Sequence, residues 1–189
     1  MEDKEAYQVD TGGLRGELPL TNSQKEQISK YIKLVESDAP SKVGVIRWVD
    51  DREMNTAYSP GFDLLNIGSD VMPAPEQTTE VFLGEVNGVK IPRIKIKWRG
   101  EATFTANSRL TWKSSIAHEL VGHREAALAG NTQSKNPLEE AQASIRAARF
   151  APSLSSTERY TLLRDGISRL YKAGIKVRQV KNILHINNR

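Results

Sequence analysis

The sequence predicts an α+β fold, with a small N-terminal mixed sheet followed by a helical half. Two observations carry this reading. β-Branched and aromatic runs gather between residues 43 and 99, and helical periodicity with matching caps dominates after residue 105. No internal repeat or low-complexity segment interrupts that order. With 189 residues, 38% hydrophobic and 26% charged, the chain suits one domain with a real hydrophobic core.

Gly12, Gly13, Gly16 and Pro19 make residues 1–20 read as an extended leader or linker, which leaves 21–189 as a single domain. Ile28, Tyr31, Ile32 and Val35 recur at i, i+3, i+4 and i+7, so a helix is expected from about Thr21 to Val35. Val43–Val49 reads as a strand, and Leu64–Gly68 as a second. The clearest sheet signal is TEVFLGEVNGVKIPRIKIKW, where Asn87-Gly88 divides two β-rich runs as a two-residue type I′ turn requires. Ile94, Ile96 and Trp98 alternate with Lys95, Lys97 and Arg99, giving one buried and one wet face. Pro92 marks an irregular or edge position there. Helices are then expected over roughly 109–129, 137–149, 156–173 and 176–185. Pro137 sits at a first helical position, Ser155-x-x-Glu158 has capping-box form, and Gly130 and Gly174 stand where C-terminal caps belong.

Composition removes several chemistries. The chain has no cysteine, so disulfides, thiolate metal sites and thiol nucleophiles are excluded. No apolar run approaches the ~18–20 residues that span a bilayer, and the acidic start MEDKEAYQVD is not a signal peptide. The expectation is a protein without a membrane span, cytoplasmic or secreted as part of something larger. The net charge of +4 is uneven: residues 151–189 hold eight Lys and Arg against two Asp and Glu. Such a stretch can be a nucleic-acid footprint, but with sparse aromatic interleaving a solvated helical face is the better reading.

The segment that carries chemistry is SSIAHELVGHREAALAG. Two of the three histidines, His118 and His123, lie in it, with Glu119 directly after the first. Zinc-binding histidines on a regular helix stand four apart, because that spacing returns both imidazoles to one face. Here the spacing is five, which on a regular helix separates the rings by ~140°. A π-type turn of about 4.4 residues brings i and i+5 back together. Gly122, lacking a Cβ, lowers the cost of that distortion, although its ordinary reading is close helix packing. Catalytic zinc takes three protein ligands and keeps one position open. The third would come from Glu139 or Glu140 in the first turn of the next helix, where acidic residues also suit the helix dipole.

His118-Glu119-x-x-Gly122-His123 resembles the motif of the dipeptidyl peptidase III family of zinc peptidases, whose third ligand lies in a Glu-Glu pair. The resemblance implies a zincin-like fold and carries the third-ligand role to Glu140. Thermolysin-like peptidases follow their ligand glutamate with alanine, as Ala141 follows Glu140; their aspartate four residues after the ligand is replaced here by Ser144. A compact cysteine-free domain with a Gly-rich leader and a late HExxGH helix also resembles the C-terminal metallopeptidase toxins of bacterial polymorphic toxin systems. That context implies an effector, with an inhibitor or immunity protein as partner.

These observations set out an expectation. Zn²⁺ held by His118, His123 and Glu140 acidifies a water, Glu119 acts as general base, and the substrate is a peptide or protein. Tyr160, Tyr171 and His185 are available as oxyanion donors. However, the tyrosines fall on the apolar face with Leu163, Ile167 and Leu170, and core packing is their ordinary role. The strand at Ile94–Trp98 would offer an edge for peptide addition. The competing classes are a zinc hydrolase of non-peptide amides and a non-enzymatic basic module that binds nucleic acid.

Overall fold

A computed structural model describes residues 18–50, 55–72, 76–81, 85–86, 89–90, 94–99 and 110–189, with the segments between 76 and 99 described by backbone pairing. Most of the leader, the Asn87-Gly88 turn, Pro92 and the alternating faces of the last strand lie outside the described residues.

Helix α1 spans Asn22–Glu36 and starts at the expected place because Thr21 and Gln24 form a reciprocal capping box. Its buried residues are Ile28, Tyr31, Ile32 and Val35, the stripe that the periodicity marks. Burying each such side chain contributes about 1.5–3 kcal/mol. A three-stranded mixed sheet follows, built from β1 (Val45–Val49), β2 (Ala57–Ser59) and β3 (Leu64–Gly68), in the order β1-β3-β2. β1 runs parallel to β3, with Ile46 opposite Leu65, and β2 runs antiparallel to it, with Tyr58 opposite Leu65. Leu65 and Ile67 of β3 are fully buried, whereas Val45 and Ile46 of β1 are exposed. β4 (Glu76–Val81) and β7 (Ile94–Arg99) form an antiparallel pair, as do β5 (Glu85–Val86) and β6 (Val89–Lys90).

The helical half begins with α2 (Trp112–Ala117), capped by Thr111, continues as a π-helical segment over His118–Arg124, and ends as α3 (Glu125–Leu128). Gly130 then takes a positive φ of 70°, the left-handed conformation expected of a C-terminal glycine. α4 (Asn136–Phe150) has Pro137 in its first turn, and α5 (Ser156–Lys172) opens with the Ser155–Glu158 capping box. The final helix, α6, is shorter than expected, covering Val177–Val180 alone. Beyond it the backbone carbonyls are taken by side chains of α4: Gln142 donates to Leu184 O, and Arg146 donates to His185 O and Asn188 O. Those tertiary bonds replace the ones a longer helix would make.

α4 is buried on nearly every side, from Ala141 through Ala148. Two glycines make this possible. A Cβ on Gly122 would lie 2.5 Å from Ala143 O, and one on Gly166 would lie 2.9 Å from Ile145 Cγ1. The π segment and α5 therefore approach α4 closely from either side. One apolar cluster joins α1, β3, α2 and the π segment to the end of α4 and to Leu162. A second joins Leu138, Ala141 and Ile145 to Leu170, Val180 and Leu184.

Candidate metal centre

The five-residue histidine spacing is accommodated by the widened turn that it demands: His118 opens the π segment, and His123 lies near its end. The rings meet edge to face with centroids 4.7 Å apart, and the two Nε2 atoms stand 3.1 Å from each other. The close approach at Gly122 and Ala143 brings in the first turn of α4. Glu140 Oε2 lies 3.3 Å from His118 Nε2, and Glu140 Oε1 lies 3.6 Å from His123 Nε2. One ligand atom from each of His118, His123 and Glu140 falls within 4.8 Å of the others, so the group could hold a metal ion. The two Glu140 contacts are made by different oxygens, Oε2 toward His118 and Oε1 toward His123, so the carboxylate faces both imidazoles. Between the two glutamates the geometry favours Glu140. Glu139 is more exposed, and its Oε1 lies 3.8 Å from His123 Nδ1, on the outer side of that ring.

Glu119 stays out of the cluster. It is 7% exposed, and its Oε2 accepts a hydrogen bond from the backbone N–H of Tyr58 at 2.9 Å. Burial is the main cause that pushes its carboxyl up to about 7, against the opposing charge of His118. Burial also works against charge on Glu140, yet the hydrogen bond and charge of His118, with Arg169 and His123, hold its carboxyl down at about 2. The imidazoles diverge. Burial and the neighbouring His118 press His123 down to about 3. For His118, burial is outweighed by Glu140, Glu119 and Asp165, which hold its pKa above the ordinary value.

Several residues around the centre were not assigned to it from the sequence. Ser144 Oγ lies 3.0 Å from His118 Nδ1 and donates to Asp165 Oδ2 at 2.5 Å. Arg169 reaches Asp165 Oδ2 through Nε and Glu140 Oε2 through Nη1, each at 2.9 Å. On the sheet side, buried Arg124 forks onto both Asp63 oxygens at 2.6 and 2.9 Å and donates to the carbonyls of Ser41 and Lys42. Tyr58 Oη donates to the same Asp63. This tie fixes β2 against the π segment, and so sets the amide that faces Glu119. Asp165 and Arg169 could have been suspected from their i,i+4 spacing beside Leu162, Gly166 and Leu170.

The oxyanion candidates fare differently from the core-packing expectation. Tyr160 and Tyr171 are 55% and 83% exposed, and Leu163 and Ile167 are also exposed. α5 instead buries Thr161, Leu162, Asp165, Gly166 and Leu170, so the apolar face read from the sequence is displaced by about one residue. His185 is exposed, with a φ of 47°. The strand that contacts the site through Glu119 is β2, while the one at Ile94–Arg99 pairs with β4.

Comparison with known proteins finds nothing similar: no family model, no curated protein and no solved structure matches the chain.

Proposed function

We propose that the chain is a zinc-dependent hydrolase that cleaves peptide bonds, with His118, His123 and Glu140 as metal ligands and Glu119 as general base. The observation that carries this is the convergence of those three ligand atoms within 4.8 Å beside a buried carboxylate outside the group. Two imidazoles and one carboxylate, with no thiol in the chain, make a ligand set that catalytic zinc uses and that iron(II) also accepts. A bound zinc ion would supply Lewis acidity and acidify a water. Glu140 would offer a carboxylate oxygen to the ion, and Arg169 Nη1, 2.9 Å from its Oε2, favours the ionised form. Glu119, with one oxygen held by Tyr58 N–H and a pKa of about 7, is suited to taking and returning a proton near neutrality.

A peptide substrate is suggested by the motif's likeness to zinc peptidases. β2 ends the three-stranded order, and its Tyr58 amide points toward Glu119 instead of into the ladder. The motif's likeness to toxin peptidases extends the proposal to an effector whose target is a protein. A panel of unstructured peptides assayed beside small amides, each with and without a chelator, tests the reading. Chelator-sensitive peptide cleavage is expected; cleavage of small amides alone would favour the non-peptide hydrolase.

A further inference from the structure

One buried cluster beside the candidate ligands has no role in the chemistry above: Ser144, Asp165 and Arg169. Ser144 and Asp165 are 0% and 1% exposed. The Ser144 hydroxyl has one proton, and it donates that proton to Asp165 Oδ2. Its oxygen therefore meets His118 Nδ1, 3.0 Å away, as an acceptor. That contact requires a proton on Nδ1 and leaves the Nε2 lone pair of a neutral His118 bare. This same Nε2 faces His123 Nε2 and Glu140. Asp165 Oδ2 also accepts from Arg169 Nε, and Arg169 Nη1 holds Glu140 Oε2 at 2.9 Å. One carboxylate oxygen thus bears on two of the three candidate ligands. α5 can bring it there because Gly166 packs against α4, where a Cβ would lie 3.0 Å from Ala141 O.

We propose that Asp165 is the positioning residue of the metal cluster, setting the tautomer of His118 through Ser144 and aiming Glu140 through Arg169. The purpose of this relay rests on the metal-site reading; its hydrogen-bond geometry does not. His123 is held differently, because its Nδ1 faces Glu139 at 3.8 Å, beyond hydrogen-bond distance. When both rings are neutral, His123 Nε2 is then the donor of the 3.1 Å contact to His118 Nε2. The two neutral rings hold opposite tautomers, and only His118 is already set to bind.

Long-range proton–nitrogen correlation spectra of the metal-free full chain, labelled at histidine, read these tautomers directly. At a pH alkaline enough to leave both rings neutral, His118 is expected as Nδ1–H and His123 as Nε2–H. Ser144→Ala should turn His118 into a mixture of tautomers while the thermal unfolding transition stays cooperative. In competition with a chelator, it should weaken zinc binding by about 10–100-fold, the range for loss of an outer partner of a ligand histidine. Asp165→Asn should weaken zinc binding at least as much, since it loosens Arg169 on Glu140 as well. A wild-type His118 in the Nε2–H form overturns the proposal, as do zinc affinities that neither substitution moves. If the wild type shows Nδ1–H, disturbed by Ser144→Ala, yet takes up no zinc, the relay stands and the hydrolase reading fails.

Discussion

At the scale of single residues, two carboxylates that stand near the same histidine are set apart by what they touch. Glu140 lies against both Nε2 atoms, whereas Glu119 is turned onto the amide of Tyr58. Glu119→Gln keeps the shape and the hydrogen-bond acceptor but cannot take a proton. Zinc content and fold should be unchanged, while kcat/KM on a cleaved peptide falls by at least ~10². Glu140→Ala should lose the metal, and Glu139→Ala, which removes an exposed carboxylate at 3.8 Å, should keep it. The opposite metal contents would reverse the assignment. The histidines add a pH dependence. The folded state of the metal-free protein holds His123 at about 3 against an ordinary 6.5, so between those values the unfolded chain binds the extra proton. The stability contributed by neutral His123 is full above 6.5 and is lost as pH falls towards 3. Unfolding free energies of wild type minus His123→Gln should therefore shrink as pH falls through that window; a difference that stays flat with pH would contradict the assignment.

At the scale of elements, the π segment is held by what packs on it. Gly122 answers two demands at once: the widened turn places His123 over His118, and the bare Cα admits the backbone of α4 at Ala143. That backbone cannot swing aside as a side chain could, so Gly122→Val should cost about 3 kcal/mol of stability by overpacking. It should also weaken zinc binding, because pushing α4 outward carries Glu140 away from the histidines. Denaturant titration together with chelator competition checks both, and an unchanged zinc affinity in a folded variant would uncouple packing from the site. The far end of the same segment is tied to the sheet by Arg124 and Asp63. Asp63→Ala strands a buried guanidinium and releases Tyr58 Oη. A loss of about 3 kcal/mol is expected in denaturant titration, and a loss under ~1 kcal/mol would make the tie incidental.

At the scale of the whole molecule, what was legible in the sequence was what is local in the chain. Thr21, Ser155, Gly130 and the stripe Ile28–Tyr31–Ile32–Val35 act within a few residues of themselves, and each stands where its pattern places it. The histidine spacing was legible for the same reason, since a five-residue gap bears directly on the turn that contains it. Asp165, Arg169, Tyr58 and Asp63 act on the site from other elements, and no window of sequence joins them to His118. α5 misled for a related reason. Its buried face carries Asp165 and Gly166 as well as Leu162 and Leu170, while Leu163, Ile167 and Tyr171 face outward, so apolarity alone picked the wrong side. The basic C-terminal stretch divides in the same way. Arg159, Arg169 and Arg189 are turned onto carbonyls or carboxylates within the protein, and Lys172, Lys176, Arg178 and Lys181 remain exposed.

The measurement that bears most directly on the account is the metal content of protein purified without added metal. Elemental analysis should find about one zinc per chain, removed by a chelator, regained on adding zinc, and absent from His118→Ala and His123→Ala. A chain that carries no transition metal, and takes up none when zinc is supplied, would contradict the account at its centre.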